Sequence, residues 1–421
     1  MRALLAGTGR ARLSSEVALN AREADQATRG SPVLTLASPR AGILPVFGFA
    51  HFSHHLCTGI LIPLLPLMKI AFGLDYFQSG LLVSSFSLAY GFGGPPIAWL
   101  ADRVSRLHLI AGGLVGVAAA AIAIGLSASY YQLVGLLIVM GLLGASYHAP
   151  ASSLLSSMFD SSERGRALGI HIVGGSASFL ITPVLAGAVA KLLNWNWAFI
   201  LLSLPALLMA LLLIKVAKEP AAAAVKAAGQ TRSSISMIEI ARILGGVVLL
   251  AIMIQVVGSA FSSFLPLFLA DVHGVDPAYA GMLAGLAVGT GVLGAPLGGS
   301  LSDRLGRKPV ILFSLACCGP MIYLISVANF GPMLLFLMGT YGLLMSLRAP
   351  TMESLIADVV PFDRRATVLG IYFFLNQETS GVVTPLVGSL IDAVGAGAAF
   401  TWLAGVATAM AGAAVLLRRQ I

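Results

Sequence analysis

The chain has 421 residues, 58% of them hydrophobic and only 10% charged, with a net charge of +8. Soluble domains carry about 25% charged residues to cover a wetted surface, so an ordinary globular protein is excluded and lipid is the solvent that fits. The basic residues fall in alternate loops rather than in one patch, which argues against nucleic acid as a partner.

Residues 1–40 are polar and mixed in charge, without the apolar core of a cleavable signal peptide. They read as a disordered cytoplasmic tail. A membrane-crossing helix needs about 20 mostly apolar residues. Twelve stretches qualify: 41–70, 78–100, 108–128, 133–157, 167–192, 197–216, 240–270, 278–301, 309–328, 332–357, 367–393 and 398–417. They are rich in Gly, Ala and Ser, which suits close packing of membrane helices. Arg103 and Arg106, Arg164 and Arg166, Lys215 and Lys218, Arg304, Arg307 and Lys308, Arg364 and Arg365, and Arg418 and Arg419 mark one side. The other side holds little beyond Lys69 and Lys191. This positive-inside pattern places both termini in the cytoplasm of a multi-pass protein in a plasma (bacterial inner) membrane. Cys57, Cys317 and Cys318 fall inside predicted helices, so no disulfide framework is expected.

The first six stretches repeat in the second six. Asp102-Arg103 recurs as Asp303-Arg304, Ala149-Pro150 as Ala349-Pro350, Glu163-Arg164 as Asp363-Arg364, and Thr182-Pro183 as Thr384-Pro385, all at an offset of about 201 residues. The expected architecture is all-α and integral to the membrane. Twelve transmembrane helices form two six-helix bundles related by pseudo-twofold symmetry: an N-terminal bundle over 41–216 and a C-terminal bundle over 240–417. A cytoplasmic linker over 217–239 and a short tail over 418–421 complete the chain. Parallel repeats of this kind place a substrate site between the halves near the midplane.

Gly299-Ser-Leu-Ser-Asp303-Arg304-Leu-Gly306-Arg307-Lys308 matches in full the G-x-x-x-D-R-x-G-R-[RK] loop of the major facilitator superfamily. On this motif and its looser copy at Ala98-Trp-Leu-Ala-Asp102-Arg103-Val-Ser-Arg106, the chain resembles that superfamily over residues 41–417. The first copy has Ala98, Ser105 and Leu107 where the motif has glycine, glycine and a basic residue. Ser178-x-x-x-Thr182-Pro183-x-x-Ala186-Gly187 is a loosened form of the antiporter motif, with a twin at Ser380-x-x-x-Thr384-Pro385-x-x-Gly388. Met140 stands where many proton-coupled exporters of the superfamily have arginine. His51-Phe-Ser-His54-His55, Ile62-Pro63-Leu-Leu-Pro66 and Tyr147-His148 are similar to the fosmidomycin-resistance-like exporter branch, which usually carries Asp where His55 stands.

The resemblance implies a major facilitator fold whose first, fourth, seventh and tenth helices line a central cavity. Charges at membrane depth are costly and mark functional positions. The candidates for substrate contact and proton coupling are His51, His55, His148, His171, Arg348, Asn376 and Glu378. Arg348 is a fixed positive charge that would draw an anionic group or pair with Glu378 or Glu353, while histidine could carry a coupling proton. Helix-to-helix hydrogen bonding is the structural alternative for the histidines. The candidates for a cytoplasmic gate are Asp102, Arg103, Glu353, Asp303, Arg304 and Arg307. His51 and His55 have no His, Cys or acidic partner at metal spacing, so no metal set is expected; His108 and His273 are expected in loops. No phosphate-cradling loop or nucleophile elbow appears, so neither a cofactor, ATP-driven transport nor an enzyme activity is expected.

The functional expectation is a secondary active transporter working by alternating access as a monomer. It would move a small-molecule substrate, an organic and anionic solute, by proton-linked export. Uptake or facilitated diffusion of a small organic anion such as a carboxylate is the second reading. A non-transporting membrane sensor with a transporter fold is the third.

Overall fold

The computed structural model describes residues 42–101, 103–159, 161–217, 237–360 and 362–416. The N-terminal tail, the central linker and the C-terminal tail lie outside the described residues, as does Asp102. All regular structure among the described residues is helical and groups into twelve rods. In the first half these are α1 (Ile43–Thr58 and Leu61–Phe72), α2 (Tyr76–Ala101), α3 (Arg106–Gly125), α4 (Tyr130–Gly144 and His148–Met158), α5 (Ser161–Leu192) and α6 (Trp195–Val216). In the second half they are α7 (Met237–Asp271), α8 (Pro277–Ala284, Leu286–Gly289 and Gly291–Leu305), α9 (Arg307–Val327), α10 (Pro332–Ser346 and Arg348–Val359), α11 (Phe362–Val394) and α12 (Ala396–Leu416). Among the described residues, nine stretches are long and apolar enough to cross a membrane. The other three rods, α2, α7 and α11, have 26, 35 and 33 residues, ample length for a bilayer at 1.5 Å per residue.

Local chemistry sets the ends. Ser105, Ser129 and Asn194 cap α3, α4 and α6 by accepting from the amides of His108, Gln132 and Trp197, which satisfies otherwise orphaned donors. Gly73 ends α1 in the left-handed region at φ 62°, where a side chain would be strained. Three of the interruptions sit just ahead of a proline: Gly59 before Pro63, Ser146 before Pro150, and Leu347 before Pro350. Proline lacks an amide proton and its ring crowds the carbonyl of residue i−4. A broken helix at membrane depth is tolerated only against protein or a water-lined cavity.

The outer surface is apolar. On α6, Leu204, Leu208 and Leu211 are 46%, 65% and 60% exposed at helical spacing, a stripe that lipid, not water, can cover. The buried core is continuous on one face and split on the other. Leu64, Leu82 and Phe199 of the first half share one cluster with Phe261, Ala284 and Val387 of the second. Toward the basic loops there are two separate clusters: Phe47, Leu114, Tyr147 and Leu154 belong to the first half alone, and Ile311, Leu315, Met352 and Val368 to the second alone. The buried core therefore joins the two bundles on the side away from the basic loops and, among the described residues, is divided on the side of those loops, where Phe92 of α2 and Phe374 of α11 still meet at 5.7 Å.

Candidate functional site

Broken helices bring the histidines together. His51 and His55 lie one turn apart on α1, on one face. His148 opens the second segment of α4, just past the break before Pro150. The three imidazole centroids form a near-equilateral triangle, with separations of 4.9, 4.9 and 5.0 Å. One nitrogen from each can lie within 4.8 Å of the others. His51 is buried, whereas His55 and His148 are half-buried. The sequence offered no metal spacing because the third imidazole, His148, comes from another helix, 93 positions from His55.

A second layer orients the first. His51 Nδ1 lies 2.9 Å from the His171 carbonyl oxygen, and His171 Nδ1 lies 3.1 Å from the Phe47 carbonyl oxygen. A carbonyl only accepts, so both Nδ1 atoms donate and each neutral ring keeps its lone pair on Nε2. Neither Nε2 has a hydrogen-bond partner. His171 stacks on His51 at 4.2 Å, and Tyr147 stacks on fully buried His54 at 4.7 Å. Gly175 permits this packing, since a Cβ there would lie 2.5 Å from His51 Cε1.

In the second half, Arg348 opens the second segment of α10, 200 positions after His148. Its Nη2 donates to Gln255 Oε1 of α7 at 3.4 Å, and its buried Nε has no partner. The expected pairing with Glu353 or Glu378 does not occur: neither carboxylate forms an ion pair with Arg348, and Glu353 is exposed. Glu378 instead lies against α2, where a Cβ on Gly91 would strike its Oε1, and that oxygen is buried without a partner. Asn376 is half-buried, one turn from Tyr372 on the same helix.

The gate candidates divide. Arg307 holds Asp303 through a short ion pair, Asp358 Oδ2 at 3.1 Å and Ser302 Oγ at 2.7 Å, tying α8, α9 and α10 together within the second half. Arg304 is exposed. Arg103 lies 3.8 Å over the Trp99 ring and donates to the Trp99 carbonyl, so it folds back on the end of α2. Among the described residues these polar pairs on the basic side stay within one half. His108, expected in a loop, is in the first turn of α3, exposed, with Nδ1 at 2.8 Å from Ser105 Oγ. His273 is in the α7–α8 turn, and burial pushes it below the usual imidazole range.

Four acidic or aromatic positions on the opposite side were not singled out from sequence. Lys69 of α1 pairs with Asp271 of α7 at 3.1 Å, and Tyr76 Oη donates to the same carboxylate at 2.7 Å. The first amides of α2, at Tyr76 and Phe77, both donate to Asp392 of α11 at 2.9 Å. Lys191 of α5 pairs with Asp276 at 2.7 Å, which holds that carboxyl below its ordinary range. The available signal was that Asp271, Asp276 and Asp392 cluster at the ends poor in Lys and Arg.

Comparison with known proteins agrees with this architecture. The chain is 23% identical over 365 residues to the uncharacterized MFS-type transporter YfnC of Bacillus subtilis (strain 168), covering 84% of this chain and 87% of that protein. It is 25% identical over 353 residues to the multidrug resistance protein MdtG of Enterobacter lignolyticus (strain SCF1), covering 79% and 82%. Among solved structures, the nucleoside transporter NupG superposes with a TM-score of 0.75 at 14% identity, covering 90% of this chain and all of that one. A bacterial homolog of the human lysosomal transporter Spinster, inward-facing and unoccupied, gives 0.73 at 18% identity over 91% and 96%. The sequence profile of the Major Facilitator Superfamily matches residues 47–291 and 247–420; with its two helical bundles and multi-pass apolar surface, this chain belongs to that superfamily of membrane transporters.

Proposed function

We propose that the chain exports a small organic anion by proton-linked alternating access, with residues 41–216 and 240–417 rocking as two bodies. The observation that carries this reading is the divided core: one cluster joins the halves on the face poor in basic residues, and two separate clusters part them on the other. In this reading positive-inside charge makes the face with the divided core cytoplasmic, the state is open to the cytoplasm, and the chain works as a monomer that spans the inner membrane twelve times with both termini inside. Arg348, fixed in charge and without a carboxylate partner among the described residues, supplies the attraction for an anionic group at a costly depth. Glu378, with its buried oxygen at the α2–α11 seam, supplies a site that gains or loses a proton as the seam moves. Asn376 and the histidine wall of α1, α4 and α5 complete the lining. Export rather than uptake is supported by similarity to MdtG, whose name is that of a multidrug resistance protein.

The test is flux in proteoliposomes loaded with candidate organic anions. A proton gradient should accelerate efflux and collapse on addition of a protonophore. Equal flux with and without the gradient would favour the second reading, facilitated movement of a small organic anion, which Arg348 also supports. No flux of any solute under either condition would leave the sensor reading.

A further inference from the structure

We propose that His51, His55 and His148 bind a divalent transition-metal ion of the zinc class in the wall of the first half. The inference rests on the same histidine wall used in the proposed function but names a ligand that reading does not require. Three imidazoles from two helices come together, with ligand atoms within 4.8 Å of one another. Zinc holds imidazole nitrogens at about 2.0–2.1 Å and therefore about 3.4 Å apart. Closing the triangle takes side-chain rotations of little more than an ångström.

The tautomers favour a metal. The His51 Nδ1 proton is committed to the His171 carbonyl, which aims the Nε2 lone pair away from that bond. A ring N–H held by a backbone carbonyl is the usual outer support of a metal-bound histidine. His51 Nε2 is buried and finds no donor in the protein. A hydrogen-bonding role would require a donor within reach of this nitrogen, and among the described residues none lies at hydrogen-bond distance. The ligand set is neutral, and among the described residues no Asp or Glu joins the group. That composition suits borderline-soft ions such as Zn²⁺, Ni²⁺ or Cu²⁺ over Mg²⁺ or Ca²⁺, which prefer oxygen. His55 and His148 are half-buried, and three protein ligands would leave a zinc-class ion a fourth coordination position.

The experiment is equilibrium dialysis of the tag-free full chain in lipid nanodiscs against Zn²⁺ at pH 7.5, with bound metal counted by mass spectrometry. One ion per chain is expected, with at least tenfold weaker binding in His55→Gln and in His148→Gln, and unchanged binding in His273→Gln. Absence of saturable binding in the natural chain, or unchanged affinity in both cluster variants, overturns the site. Should the variants fail to fold, Co²⁺ added to the natural chain decides: visible bands of a tetrahedral nitrogen-ligated ion support the site, and their absence removes it. Binding without any solute flux would sink the transport reading and spare the metal site; proton-linked flux in a chain that binds no metal would do the reverse.

Discussion

Arg348 and Glu378 show how single charges are handled at membrane depth. The guanidinium makes one 3.4 Å bond to Gln255 and leaves its buried Nε without a partner. A hydrogen bond to a charged group contributes about 1.5–3 kcal/mol. Arg348→Ala should therefore weaken apparent affinity for an anionic solute by roughly 10- to 100-fold, while Arg348→Lys, which keeps the charge but loses the planar fork, should retain part of it. Binding measured by scintillation proximity on the purified protein checks this, and equal affinity in the alanine variant would remove Arg348 from the site. Among the described residues Glu378 forms no ion pair, and its Oε1 rests against the α2 backbone at Gly91. Glu378→Gln keeps the shape and deletes the proton site. The expected result is a folded protein whose solute counterflow persists but whose gradient-driven flux is lost. Gradient-driven flux at the natural level in that variant would exclude Glu378 as the coupling group.

At the scale of helices, the breaks in α1, α4 and α10 do the positioning. Pro150 withdraws the bond that would reach Ser146, and His148 starts the new segment at the break. An interior proline costs a helix about 3 kcal/mol. Pro150→Ala should straighten α4, hold or raise the thermal midpoint, and lower flux by displacing His148 from its triangle with His51 and His55. Unchanged flux alongside a higher midpoint would show that the break is packing alone. These helices also mark what sequence could reveal. Hydropathy placed all twelve rods to within a few residues, and the repeat at Ala149-Pro150 and Ala349-Pro350 pointed to the equivalence of His148 and Arg348. The motif residues Asp303 and Arg307 were legible because their spacing is local. What sequence did not reveal depends on which faces meet across the chain. The third imidazole of the triangle lies 93 positions from His55, Arg348 chooses Gln255 of α7 over either glutamate, and Arg307 adds Asp358 to its motif partner. No periodicity within one helix encodes such pairings.

For the molecule as a whole, the proposed alternating access depends on the balance between the seal away from the basic loops and the divided core on the opposite face. Small residues let the halves close: a Cβ on Gly281 of α8 would land on the Pro63 carbonyl of α1, and one on Gly80 of α2 would come within 2.8 Å of Pro385 Cα. Charge then pins the seal at Lys69–Asp271, at Lys191–Asp276 and where Asp392 receives the first amides of α2. The last contact combines a carboxylate with a helix N-terminus, a favourable polarity. The lysine pairs are partly exposed, with side-chain exposures of 23% and 35% for the first and 49% and 39% for the second, so each contributes little and salt weakens it. Lys69→Gln combined with Lys191→Gln should shift the balance toward the outward-open state by a few-fold, with the shift larger at low ionic strength. The pH dependence has a definite sign. Asp276 has its carboxyl depressed by Lys191 in the sealed state. Its contribution is therefore fully present above the ordinary carboxylate range and is lost as external pH falls through the depressed value. Acidifying the outer face below about pH 4 should open the seal in the natural chain and have less effect in Lys191→Gln. Distances between spin labels on the outer ends of α5 and α8 would read both effects. A distance distribution that does not respond to acid, to salt or to the two lysine substitutions would place the seal entirely in its apolar and glycine contacts.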